Sequence, residues 1–440
     1  MSKSYTKSFY VLTSLFFTWG LITVLVDSLI PRLKDIFELS FFQAGLVQFA
    51  FFMAYGIISI PAGALLNKIG YKRGIILGLA VMGLGCLLFL PAASFRDFSL
   101  FMLGYFILAS GMTVLQVAAN PYVTVLGDER TAPSRLNLSQ AFNSAGTTIA
   151  PILGSIFILS DNILSSAEIE ALDHTAMNVY LSDEASAVQM PFLVLASGLI
   201  LMALFVLRIK LPQLLSSSNK ALSNYGKALK HKKLVLGVIG IFVYVGAEVG
   251  IGSYLVNYFF DMGLYSVVRE SGVMMSIANA LAWVFQFSIE GADEKALLGI
   301  FVTFYWGGAM IGRFVGSYLT KIYQPNRVLS VFALLAISMI VVSMLSDGLI
   351  AMWSILSVGL FNSIMFPTIF SIAIEDLGEL KAQGSGLLCT AIAGGAFIPP
   401  LYGFFVDISG FKIAFAIILC CYVFILVYGR ISTQLKVPRI

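Results

Sequence analysis

Charge is what this 440-residue chain has least of. Asp, Glu, Lys and Arg together make up 11% of it, against about 25% in an ordinary soluble domain. A water-soluble fold needs a charged surface, so that class is excluded. Histidine is nearly absent. His174 and His231 stand apart in polar segments, where they are expected to be solvated, and no Cys/His spacing of a zinc site accompanies them. A membrane-embedded metalloenzyme would lack its usual ligands. Cys86, Cys389, Cys420 and Cys421 all fall in apolar runs, which argues against a disulfide framework. The formal net charge of +4 is distributed as a topology signal rather than as a nucleic-acid footprint.

Apolar residues fill the rest: 59% of the chain is hydrophobic and the mean hydropathy is +0.92. Runs of about 20 apolar residues, enough to cross a bilayer, recur along nearly the whole length. They lie at 8–30, 42–67, 74–94, 98–126, 137–160, 190–209, 234–260, 297–322, 328–346, 349–374, 384–406 and 412–434. These are spans 1 to 12 of an all-α polytopic membrane protein. The basic start, MSKSYTKSFYVL, resembles that of a signal peptide, but the run behind it is too long and no small-x-small cleavage pattern follows. A retained first span is expected.

The segment 208–233 is rich in Lys and Arg and holds no acid, and Lys68, Lys72 and Arg73 cluster after span 2, as do Lys321 and Arg327 after span 8. Between Arg135 and Arg208 there is no Lys or Arg, and the polar segment 161–189 carries Asp161, Glu168, Glu170, Asp173, Asp183 and Glu184. The positive-inside rule places the 208–233 loop and both termini in the cytoplasm and the acidic segment outside. The chain divides into an N-terminal six-helix bundle (1–209), a basic cytoplasmic linker (210–233) and a C-terminal six-helix bundle (234–440). A weaker run at 271–290 would reverse every later loop if it spanned. It reads as a short interfacial or re-entrant helix within an outer loop, 261–296.

The halves repeat. Gly63-Ala-Leu-Leu66-Asn-Lys68-Ile69 after span 2 matches Gly316-Ser-Tyr-Leu319-Thr-Lys321-Ile322 after span 8. Gly146, Pro151 and Gly154 of span 5 match Gly395, Pro400 and Gly403 of span 11 at the same internal spacing. Two ordered matches half a chain apart point to a duplicated six-helix unit, an architecture of secondary transporters with the site between the halves.

Ionisable residues within the spans cost about 2.5–3.5 kcal/mol each even on lenient insertion scales and are functional candidates by default. Three stand out: Asp27, Glu248 and Arg313. Asp27 is the candidate for cation coupling. Glu248 and Arg313 are expected to pair in a gating or structural role. Gln116 and Asn120 share one face of span 4, and Gln140 and Asn143 one face of span 5. Amides supply donors and acceptors together, as a neutral polyol requires, and no Lys or Arg lies on these faces to meet a carboxylate or phosphate. Trp306, Asn362 and Phe366 are candidates for an opposing wall. The competing role for each amide is a helix–helix hydrogen bond, worth about 0.6 kcal/mol in membranes, and for each aromatic it is packing.

The segment Gly63-Ala-Leu65-Leu-Asn67-Lys-Ile-Gly70-Tyr-Lys72-Arg73 resembles the loop signature of the major facilitator superfamily, with Asn67 in place of the usual acid. LQVAANPYVTVLG (115–127), SRLNLSQAFNSAGTTIAPILG (134–154) and SIMFPTIFSIAIEDLG (363–378) resemble the fucose/galactose/glucose–cation symporter family. YVGAEVGIGSYL (244–255) and YWGGAMIGRFVGS (305–317) add to that likeness. The resemblance implies the major facilitator fold, twelve transmembrane helices in two pseudo-symmetric bundles. It also implies uptake of a neutral hexose by symport with a proton or sodium through alternating access, with no cofactor, by a monomer in a bacterial-type inner membrane. By the same resemblance Asp27 falls at the family's protonatable carboxylate, and sodium, if it is the ion, would sit near it. Gln140 and Asn143 fall at its sugar-binding amides. Gln116 stands where fucose–proton members carry a glutamate, the pattern of the glucose/galactose branch. Two alternatives remain: a drug–proton antiporter, whose glycine–proline motif Gly146–Gly154 partly imitates, and a passive sugar uniporter.

Overall fold

The computed structural model describes the backbone of residues 3–36, 41–157, 173–212, 224–285, 289 and 293–434. Side chains at 26–36, 41–45 and 151–157, and several within 174–188, are outside the description. Regular structure among the described residues is entirely helical. α1 is Lys3–Ile36. Phe41–Phe95 is interrupted at Gly70 (φ 78°, ψ 165°), a backbone region that favours glycine, and so forms α2 (41–69) and α3 (71–95). Then come α4 (Phe98–Val125), α5 (Ala132–Phe157), α6 (His174–Arg208), α7 (Lys232–Asp261), α8 (Val302–Ile322) and α9 (Pro325–Leu345). α10 (Gly348–Ile374), α11 (Gly378–Ser409) and α12 (Phe411–Ile431) complete the set. Gly410 separates the last two with the same dihedrals as Gly70.

Ten stretches of described helix are long and apolar enough to cross a membrane. The break at Gly70 makes two of one, and α5, with 26 residues, is more polar but long enough to span at 1.5 Å per residue. The twelve expected spans are thus all helices.

Two sequence readings change, the start of span 6 and the burial of His231. α6 begins at His174 rather than near 190, because Asp173 caps it, accepting from the Ala176 amide at 2.6 Å. A capped polar helix continuing out of the membrane is invisible to hydropathy. Residues 158–172 of the acidic segment lie outside the described residues. The 271–290 run forms a helix of only 14 residues, Gly272–Phe285, too short to cross about 30 Å. It buries Met274, Ala278 and Ala282, four apart, and leaves Val273 and Trp283 exposed. His231 is buried at the start of α7 rather than solvated.

Small residues set the closest helix contacts. Gly78 and Gly111 let α3 and α4 touch backbone to backbone, the usual device where apolar lipid gives no drive for association. Contact between the first six helices and the last six is made by α2, α4 and α5 on one side and α8, α10 and α11 on the other.

Candidate functional site

Gln116 and Asn120 lie on one buried face of α4, as their spacing requires. Gln116 Nε2 donates to the Tyr55 hydroxyl of α2. Gln140 Nε2 of α5 donates to Asn120 Oδ1 at 3.4 Å, and the Asn120 side chain also meets the Cys389 thiol of α11. Asn143 does not join this set. Its Nδ2 donates to the Phe16 carbonyl of α1 at 2.9 Å, and Gly20 of α1 sits so close that any Cβ there would overlap the Asn143 carbonyl. In this structure Asn143 belongs to the α1–α5 crossing.

The opposing half repeats the arrangement through proline. Pro367 has no N–H for the Ser363 carbonyl, four residues earlier, and α10 breaks between Asn362 and Met365. Arg313 Nε of α8 takes that carbonyl at 3.1 Å. In α4, Pro121 likewise frees the Val117 carbonyl, and Ser385 Oγ of α11 takes it at 2.8 Å. Five residues before each of these prolines stands an amide bonded to tyrosine. Gln116 meets Tyr55, and Asn362 Nδ2 donates to the hydroxyls of Tyr305 at 2.8 Å and Tyr422 at 3.3 Å. Asn362 Oδ1 has no partner among the described residues.

Glu248 and Arg313 pair, with Oε1 to Nη2 at 3.8 Å. Tyr305 donates to the Glu248 carbonyl at 3.1 Å. Arg313 Nη1 also crosses between the halves to the Ser144 hydroxyl of α5, one turn from Gln140. No Lys or Arg lies on the amide faces themselves, but Arg313 approaches that of α5 from a helix of the other half. Its charge is opposed by Glu248 and its donors are directed at Ser144 and Ser363, so it is not a free anion receptor.

Phe366 is buried and packs on Phe370, ring centroids 5.8 Å apart. Trp306 is 46% exposed, edge-on to Tyr305 at 5.0 Å, and rests over Gly252, where a Cβ would lie 2.7 Å from its ring. The Asp27 side chain lies outside the described residues, as do the side-chain positions of Pro151 and Gly154. Among the described residues no group of three or more His, Cys, Asp or Glu could hold a metal.

On the face where the basic loops gather, the halves are sewn together. Ser134 Oγ donates to the Ser317 carbonyl at 2.7 Å and Ser317 Oγ to the Ser134 carbonyl at 2.9 Å. Asn137 Nδ2 donates to Thr368 Oγ1 at 3.1 Å, and Lys381 pairs with Glu129 at 3.0 Å. A cavity of about 380 Å³ opens there, lined by Glu129, Arg130, Lys321, Tyr323, Glu375 and Lys381 among others. None of the sequence-derived site residues lines it.

Tyr55, Tyr305, Tyr422, Ser144 and Ser385 were missed by sequence reasoning. An amide five residues before a proline, in two corresponding spans, was the available signal for the first three. The serines carry none.

The sequence profile of the Major Facilitator Superfamily matches residues 9–398. A glucose/galactose transporter of Brucella abortus biovar 1 (strain 9-941) is 44% identical over 434 residues, covering 98% of this chain and 95% of that one. An L-fucose-proton symporter of Escherichia coli (strain K12) is 35% identical over 441 residues, covering 98% and 94%. Among solved structures, the crystal structure of the transporter FucP in the outward conformation matches with a TM-score of 0.85 at 33% identity, covering 98% of this chain and 99% of that one.

Proposed function

The chain belongs to the Major Facilitator Superfamily, and from that premise we propose that it takes up a neutral hexose by symport with a cation through alternating access. It is an integral membrane transporter, not an enzyme. The observation that carries the substrate class is a set of buried amides and tyrosines in each half, with the buried acceptor Asn362 Oδ1 lacking a partner among the described residues. Buried polar atoms are normally satisfied, and a sugar hydroxyl, which donates and accepts alike, suits it. Arg313, with its donors already directed, leaves no free cation for a phosphate. The names of the Brucella and Escherichia relatives agree with this class.

The coupling ion is a proton or sodium acting at Asp27, and the proton is favoured by the symporter named in Escherichia. Gln116 in place of a glutamate leaves Asp27 as the single carboxylate in the first five spans within this reading. The basic face is assigned to the cytoplasm of a bacterial-type inner membrane by the positive-inside rule. The halves sewn together on that side then correspond to an outward-facing state. In this reading the working unit is a monomer. The likeness to an antiporter's glycine–proline motif has a packing explanation, since Gly146 abuts the Phe17 carbonyl of α1.

Competition in reconstituted vesicles tests the substrate class. Uptake of labelled glucose or galactose should be inhibited by neutral hexoses and left unchanged by glucose 6-phosphate or glucuronate. Strong inhibition by the phosphate would contradict the assignment.

A further inference from the structure

The linker reaches into the contact between the halves. Its short helix, Asn224–Ala228, packs against residues 378–390 at the start of α11. From that support Tyr225 extends to α2, in the other half. Its hydroxyl donates to the Ile60 carbonyl at 2.6 Å, so it sits on the backbone of the α2 turn that starts there. The neighbouring Pro61 already removes one rung from this turn.

The same oxygen occupies the point where α2 and α11 cross. A Cβ at Gly63 would lie 2.5 Å from it and 2.8 Å from the Ala382 carbonyl, and a Cβ at Gly386 would lie 2.8 Å from it and 2.9 Å from the Ser59 carbonyl. Two glycines, one from each half, thus leave a notch that the linker hydroxyl fills. The preceding end of the linker is also tied down, by Tyr122 donating to the Pro212 carbonyl at 2.6 Å.

We propose that Tyr225 is a latch of the gate on the basic face: held by its helix on one half and hydrogen-bonded to the α2 backbone of the other, it must withdraw before the halves can part there. It touches no substrate and acts as a positioning residue for the conformational step. The inference rests on the alternating-access reading above. It makes the linker part of the gate, whereas a plain tether would leave the opening equilibrium untouched.

The test uses Ala382→Cys, a buried position at the crossing, as a reporter for a membrane-impermeant maleimide applied to the basic face of oriented vesicles. The chain without that substitution gives the background from its four native cysteines. Tyr225→Phe keeps the ring and removes the hydroxyl. Labelling should rise about fivefold or more, the shift that corresponds to about 1 kcal/mol for a lost hydrogen bond. Ala228→Gly loosens the supporting helix without altering the hydroxyl, and should move labelling in the same direction, which keeps the test decisive should the first variant not purify as a folded monomer. Labelling unchanged from that of the unsubstituted latch, in a folded variant, overturns the proposal. Sugar exchange measured in the same vesicles reports on the transport reading separately. Absence of exchange with the latch intact would count against that reading, while the labelling comparison would still decide the latch.

Discussion

Arg313 serves three helices besides its own. It pairs with Glu248 on α7, holds the Ser363 carbonyl that Pro367 leaves free on α10, and reaches Ser144 on α5 across the halves. The sequence marks Arg313 and Glu248 because charge is so rare in these spans, and their pairing follows from having no nearer partner. Ser144 could not be read in advance, since a serine in a membrane helix is common and its partner depends on the register of two helices far apart in the chain. The same is true of Asn143, whose spacing from Gln140 is right but whose donor is taken by α1. Asp27 carries the prediction at this scale. Asp27→Asn fixes a neutral side chain of nearly the same shape, so it should abolish uphill accumulation while sparing at least part of sugar exchange. Asp27→Ala, which also removes the hydrogen-bonding group, should do worse. Accumulation by Asp27→Asn with unchanged ion dependence would move the coupling role to Glu248.

At the scale of elements, the glycines that the sequence aligns meet different neighbours. The sequence aligns Gly146 with Gly395. Gly146 abuts the Phe17 carbonyl of α1 and Gly395 faces the Phe52 ring of α2, while Gly394 abuts a carbonyl of α7, that of Phe242. A 3₁₀ turn, Ala391–Ala393, precedes Gly394. Gly394→Ala should therefore cost about 1–3 kcal/mol, as overpacking against a backbone carbonyl does, and lower the melting temperature in detergent. Gly395→Ala meets a side chain that can swing, so it should spare folding and alter the transport rate instead. Equal melting temperatures for the two variants would contradict this assignment. Helix existence was legible throughout because apolar length declares it. Helix ends were not: the polar start of α6 is fixed by the Asp173 cap, which hydropathy does not register.

Over the whole molecule, the closed side is built from small and polar residues that the two halves contribute together. Gly63 meets Gly386, Gly316 lies beside Asn137, and Ser385 bonds the carbonyl freed by Pro121. Weak, water-like contacts of this kind suit a joint that opens and closes, where a large apolar interface would not. The spans, and the shared buried face of Gln116 and Asn120, could be read from the chain alone. The meeting of the halves could not, because nothing in one half's sequence fixes its angle to the other. The central claim is that a cation gradient drives a neutral sugar across this joint. The most direct measurement is uptake into proteoliposomes under separately imposed inward proton and sodium gradients. One of the two gradients should raise internal hexose above the external level, and dissipating it should abolish accumulation while leaving exchange. Hexose that merely equilibrates, at the same final level with either gradient or none, would contradict it.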